Sequence, residues 1–257
     1  MDKLSIMMTL NRSTDQKGFY LPTELKMIVL EYAIFKPKTK DELRTSIDEF
    51  CKDRKQALIK YGIPNTWDVT LITDMSQLFL FSEFNEDISE WDVSNVTDMS
   101  SMFSMSKFNR GSLSNWNVSN IKNMKRMFYF SRFSGNGLSS WDVSNVTDMS
   151  GMFSFFTFNV KNIDISNWNV SNVTNMNSMF FRAAFNERSP DISRWDVSNV
   201  TDMSHMFYYT HFTGDISSWN VSNVTDMSYM FYYAHFNQNT FNWNASNVRD
   251  MSFMFRD

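Results

Sequence analysis

The stretch WDVSNVTDMSSMF at 91–103 recurs with few changes along most of the chain, and no other feature limits the fold as much. Copies open at Trp67, Trp91, Trp116, Trp141, Trp168, Trp195, Trp219 and Trp243, so successive copies lie 24, 25, 25, 27, 27, 24 and 24 residues apart. A period of this size belongs to coils that cannot bury an apolar face alone and gain a core only by stacking on their neighbours. The expected fold is an α+β repeat solenoid of parallel coils, each a short strand plus a short helix or 3-10 turn.

Numbering each tryptophan as position 0 brings out the apolar columns. Position 2 is Val from Val69 to Val221 and Ala in Ala245, position 5 is Ile or Val, position 8 is always Met, position 11 is Leu78 and then Met, and position 12 is always Phe. A second Phe column (Phe84, Phe108, Phe133, Phe158, Phe185, Phe212, Phe236) precedes an Ile/Leu column three residues before the next Trp. Positions 8, 11 and 12 have helical spacing, which predicts a helical turn over D-M-S-x-M-F, entered through the Thr97-Asp98 pair and its equivalents. The F-N-x-D-I-S stretch reads as extended. An Asn column at position 4, Asn95 to Asn247, suits stacked amides or amide bonds to turn backbone.

Three regions follow: a tail at 1–20, a helical leader at 21–64, and seven full coils with one truncated coil at 65–257. In the leader, Pro22 and Glu24 suit a first helical turn, and Leu25, Ile28, Val29 and Tyr32 share a face, which predicts a helix over 21–34. A second helix is expected over 40–61 from Leu43, Ile47, Phe50, Cys51, Ala57, Leu58 and Tyr61, with Gly62 as its stop and capping of the first coil as its role. Cys51 falls on that stripe and reads as a small core residue. At the other end the eighth coil carries Asn244, Ala245 and Arg249 in place of the usual residues, and is expected to fray or to self-associate.

The W-D-V-S-N-V-T-D-M-S-x-M-F pattern resembles the bacterial-surface-protein type of leucine-rich repeat found in bacteria, mycoplasmas, algae and large DNA viruses of protists. The resemblance covers residues 65–257 and implies leucine-rich-repeat-like coils, no catalytic activity and no cofactor. The segment at 41–62 is similar to the helical leader that precedes such repeats. Leu21, Pro22, Glu24, Leu25, Val29 and Leu30 resemble the opening helix of an F-box, and that resemblance implies docking on the adaptor subunit of a ubiquitin ligase.

Charge narrows the partners. Residues 1–64 carry 12 Lys+Arg against 9 Asp+Glu, whereas residues 65–257 carry 12 against 19. Negative repeats repel phosphate backbones, so nucleic acid is not an expected partner. No segment is long enough to span a bilayer, and the single Cys51 favours a reducing, intracellular setting, with a virion or cell surface as the alternative.

No nucleophile, base and orienting group recur together, so no catalytic or cofactor site is read. The Asp/Asn columns at positions 1 and 7 supply calcium-type oxygens, but a chain with 7 Gly lacks the turns of calcium solenoids, and turn chemistry is the expected role. His211 and His235 share a column without a third ligand nearby, so no metal site is read there. Positions 13 and 14 cannot both point inward, so an exposed aromatic stripe is expected from Tyr129, Phe130, Phe155, Phe181, Tyr208, Tyr209, Tyr232 and Tyr233. The functions in view are a protein-binding scaffold, an F-box-like substrate adaptor, and a surface, adhesion or virion structural protein.

Overall fold

The computed structural model describes residues 34–158, 163–185, 189–234 and 243–256. The expected tail and the docking candidates Leu21 to Leu30 lie outside the described residues.

Over 40–61 the chain forms two helices where the sequence predicts one. Helix α1, Lys40–Lys52, starts at Thr39, whose hydroxyl accepts the Glu42 N–H, and it buries Leu43, Ile47 and Phe50. Asp53 then leaves the helical region (φ −147°, ψ 89°), and its side chain accepts the Gln56 N–H, which opens α2, Arg54–Tyr61. A short acidic side chain that satisfies an orphan N–H makes a better cap than a mid-helix residue. Gly62, at φ 74°, closes α2 with its N–H on the Leu58 carbonyl. Cys51 is exposed rather than in the core. The buried face runs through Leu43, Ile47 and Phe50, and the next residue is turned onto the flank, where its thiol lies 3.6 Å from the Ser82 hydroxyl. Phe50 packs on Trp67 (5.5 Å) and Phe84 (6.0 Å), so α1 covers the apolar side of the first coil.

The D-M-S-x-M-F segment is not helical. It is a run of tight turns, as in Leu78 N–H to Met75 O, Leu80 N–H to Gln77 O and Ser82 N–H to Phe79 O. The alternate N–H groups point along the stack: Met75 to Asp98 O, Gln77 to Ser100 O, Phe79 to Met102 O and Phe81 to Ser104 O. Ser76 N–H bonds the Asp74 carboxylate, which leaves no N–H from Met75 to Ser82 without a partner. This geometry requires left-handed backbone at positions 10 and 14. Gln77, Phe81, Ser101, Met105, Arg126, Phe130, Phe155, Ser178, Arg182, His205, Tyr209, Tyr229, Tyr233 and Phe253 all have φ between 48° and 59°, and Gly151 has φ 63°. Each such non-glycine residue costs about 1–2 kcal/mol, and the conformation persists because four inter-coil bonds and the buried neighbours hold it. The side-chain spacing at positions 8, 11 and 12 suits a helix, but the ladder takes the backbone bonds a helix would need.

Parallel bridges run through position 7, Asp74 to Asp98, Asn123, Asp148, Asn175, Asp202, Asp226 and Asp250 in turn. Among the described residues, the F-N-x-D-I-S region is paired as strand only in β1, Thr157–Phe158, against β2, Ala184–Phe185. At positions 12 and 13, β3, Phe231–Tyr232, pairs in parallel with β4, Phe255–Arg256. Inside, the position 12 rings stack almost face to face: Phe79–Phe103 at 5.2 Å and 2°, Phe128–Phe153 at 5.8 Å and 6°, Phe153–Phe180 at 5.9 Å and 8°. Each indole N–H reaches a carbonyl in the preceding segment, as Trp116 Nε1 does at Ile88 O, 3.1 Å. The Asn column donates to backbone rather than to itself, with Asn120 Nδ2 on Ser94 O at 2.7 Å.

The ladder leaves the first coil with unmet acceptors, because each coil's carbonyls at positions 7, 9, 11 and 13 are served by the coil before. Arg44 fills part of that need from α1, with Nη1 on Leu78 O at 2.6 Å and Nη2 on Leu80 O at 3.3 Å. In the eighth coil the core columns open to solvent: Met251 is 44% exposed and Phe255 57%, whereas Met227 is fully buried.

Two outcomes follow for thermal unfolding. Phe153, fully buried between stacked rings, should cost about 3–5 kcal/mol when changed to Ala, and an unchanged melting temperature would contradict the stacking account. Arg44→Met keeps the aliphatic stem and removes the donors, so it should cost about 1–3 kcal/mol. Hydrogen exchange should then show the first coil opening before the fourth.

Candidate interaction surface

The turns that build the core also fix what faces outward. Positions 11 and 12 point in, and the left-handed residues at positions 10 and 14 turn their side chains onto one flank. Phe81 is 67% exposed, Phe130 57%, Tyr209 53% and Tyr233 41%. The position 13 residues Tyr129, Phe181, Tyr208 and Tyr232 are half-buried beneath them, as is Phe155.

These rings form one connected strip. Phe155 touches Tyr129 (5.6 Å), Phe130 (5.9 Å) and Phe181 (5.4 Å). Phe181 stacks on Tyr208 at 4.7 Å and 10°, Tyr208 on Tyr232 at 5.1 Å and 7°, and Tyr209 meets Tyr233 edge-on at 5.3 Å. All eight residues expected to form the stripe therefore lie on one surface. Arg182 stands at position 14, where the neighbouring coils carry Phe155 and Tyr209. Its guanidinium lies 5.0 Å from the Tyr209 ring and 5.8 Å from Phe155, so the strip continues through a cation–π contact.

Sequence reasoning missed Arg182, together with His205, Tyr229 and Phe253 at position 10. His205 stacks on Tyr229 at 4.8 Å and 14°, and Tyr229 on Phe253 at 5.1 Å. The available signal was the four-residue interval separating position 10 from position 14, which puts both columns on one flank. Burial among these rings lowers the His205 pKa, with Asp226 and Asp202 pulling the other way.

The Asp/Asn columns close turns. Oδ1 of Asp92, Asp142 and Asp196 each accepts the N–H two residues on, and Asp98, Asp148 and Asp202 do the same at position 7. Among the described residues, no three His, Cys, Asp or Glu side chains converge as a metal site would require. His211 is exposed, and His235 lies outside the described residues. Among the described residues, no helix is long and apolar enough to cross a membrane.

The same turns make stability pH-dependent. Hydrogen bonds from Ser144 lower the Asp142 pKa, and those from Ser198 lower that of Asp196. A carboxylate depressed in the folded state stabilises fully above its unfolded value of about 3.9, and that contribution is lost as pH falls through the folded value. Asn already fills this column at Asn117 and Asn169 with the same turn. Asp142→Asn with Asp196→Asn should therefore hold the melting temperature at neutral pH and reduce its fall on acidification below about pH 4. An equally steep acid limb in the double variant would count against the assignment.

A sequence-family profile described as "Mycoplasma protein of unknown function, DUF285" matches residues 45–161, 129–235 and 154–257. No curated protein and no solved structure matches the chain. The overlapping matches cover most of the chain, and they run through the coils from the cap helix onward. The chain belongs to this family.

Proposed function

We propose that this member of the DUF285 family is a non-catalytic repeat scaffold, a solenoid of the leucine-rich-repeat-like, bacterial-surface-protein type, that binds another protein along its aromatic flank. The observation that carries the reading is the strip from Tyr129 to Tyr233, whose rings contact one another from coil to coil while Phe130, Tyr209 and Tyr233 remain 57%, 53% and 41% exposed. Contiguous exposed aromatic area on a rigid support is costly to leave in water, and Tyr and Arg are the residues most enriched at interface hot spots. The rigidity comes from the ladder, so a partner meets rings that are already ordered and little side-chain entropy remains to be lost. Catalysis would need a set of polar groups that differs from coil to coil, whereas the polar side chains here repeat as turn closures.

The test is partner capture on the immobilised chain, with Tyr208, Tyr209, Tyr232 and Tyr233 changed together to Ser. All four lie on the flank outside the stacked Phe column, so the variant should keep its melting temperature within a few degrees. Captured partner should fall at least about tenfold. Equal capture by the folded variant would remove this surface from the reading.

A further inference from the structure

We infer that the flank carries an anion-selective seat, its cations on the third coil and the rest of its groove chiefly on the fourth and fifth, that takes an acidic segment of the partner protein, an inference that rests on the protein-binding reading and specifies its chemistry. The repeats hold 12 Lys+Arg against 19 Asp+Glu, yet the coil from Trp116 to Ser140 holds Lys122, Lys125, Arg126 and Arg132 and no acidic residue. Among the described residues, none of these four cations takes part in an ion pair; Arg182, Arg194, Arg249 and Arg256 of later coils have none either, so what sets this coil apart is four cations with no carboxylate of its own, whereas Lys107 and Arg110 of the coil before are paired with Glu83 and Glu86. A local excess of unpaired cations inside an acidic repeat is a charge pattern that an anionic ligand would complete.

Two of these cations stand at a groove. Lys125 and Arg126 line a surface cavity of about 410 Å³, together with the rings of Tyr129, Phe155 and Phe181, the amides of Asn175 and Asn177, and one carboxylate, Asp202 of the sixth coil. Position 10 of the fourth coil is Gly151, where other coils carry Arg126, His205 or Tyr229, so no side chain fills the space. A Cβ built on Gly151 would stand 3.0 Å from Arg126 Cγ, which places the Arg126 stem across the glycine.

The third observation is independent of charge. Ser150 also lines the groove, and its hydroxyl is the one buried side-chain polar atom among the described residues that has no hydrogen-bond partner. Leaving a hydroxyl buried and unpaired is unfavourable, and an anionic oxygen drawn in by Lys125 and Arg126 would supply the acceptor it lacks. A carboxylate would gain charge-assisted bonds from Lys125 and Arg126, and its apolar neighbours would rest on the rings. An oligonucleotide, charged at every residue, would meet the Asp202 carboxylate in the same groove and the acidic repeats beyond it.

The test is fluorescence anisotropy with short fluorescein-labelled peptides of alternating Glu and Leu, Gln and Leu, or Lys and Leu, and with oligouridylate. The Glu peptide should bind about tenfold more tightly than the Gln peptide, more weakly as salt rises, and the Lys peptide least. Lys125→Glu with Arg126→Glu should erase the Glu preference, and the milder Lys125→Gln with Arg126→Gln, checked by near-UV circular dichroism, should reduce it. Ser150→Ala should weaken the Glu peptide about threefold without lowering the melting temperature, since it removes an unsatisfied group. Equal binding of Glu and Gln peptides, preference for oligouridylate, or no binding at all would overturn the seat. If Glu and Gln peptides bind equally and both are lost on the four-Tyr variant, the charge assignment falls and the protein-binding reading stands.

Discussion

The structure depends on a hydrogen-bond ladder whose run from position 7 to position 14 has a single direction. In each coil the N–H groups at positions 8, 10, 12 and 14 point forward and the carbonyls at 7, 9, 11 and 13 point back, as in Phe103 N–H to Met127 O and Met105 N–H to Tyr129 O. An ordinary strand sends alternate groups to opposite neighbours, donors and acceptors mixed. Here the intervening N–H groups close turns within the coil, so from position 7 to position 14 each interface is donor to acceptor, while the position 6 N–H points back, as in Thr97 N–H to Thr73 O. The consequence at the first coil is chemical, because acceptors there need donors and no coil precedes it. Arg44 of α1 supplies two of them, at Leu78 O and Leu80 O, while Lys40 holds the Asp74 carboxylate beside them at 3.0 Å.

The same ladder accounts for the surface. Left-handed backbone at positions 10 and 14 lets alternate groups share a direction, and it also turns those two side chains outward. An aromatic residue there cannot join the core without breaking the forward bond of its own N–H. The exposed strip is thus a by-product of backbone pairing, and its content is free to vary: Gln77, Ser101, Arg126, Gly151, Ser178, His205, Tyr229 and Phe253 all occupy position 10. Core columns admit almost no such variation, because each Phe is stacked between two others.

Much of this was legible in the sequence, and the illegible part has a common cause. The Val, Met, Phe and Trp columns identify the buried residues, because burial selects side chains and side chains are what a sequence displays. Backbone direction leaves weaker marks. A spacing of 8, 11 and 12 serves a helix and a chain of turns equally well, and the usual sign of left-handed backbone, glycine, appears at position 10 only in Gly151. Asp53 reads as one more polar residue on a helix surface until its side chain is seen to cap Gln56. Cys51 follows Phe50 on the apolar stripe and still faces out, because a stripe edge cannot be placed to within one residue by periodicity alone. The flank was legible as a surplus of aromatics that the core could not hold. Arg182 was not, since an arginine in an aromatic column looks like an interruption until its guanidinium is found over three rings.

Directionality also limits how coils of this kind meet other chains. Along positions 8 to 14 a forward face offers N–H groups that pair with carbonyls, so two identical faces brought together would set donors against donors over that run. Symmetric contact through the coil of Met251 and Phe255 would then rest mainly on apolar area, with the position 8 to 14 N–H groups of both copies desolvated and unmatched, a costly arrangement. A head-to-tail contact would satisfy the donors, but the complementary face is occupied by α1, whose Arg44 already holds Leu78 O and Leu80 O. A chain seated on the eighth coil therefore has to present carbonyls in the same parallel sense, as a further coil or a short strand does. The flank carries no such restriction, since its rings project from backbone whose bonds are already made. This separation of a saturated ladder from an unsaturated side surface is what lets binding residues change without loss of the stack.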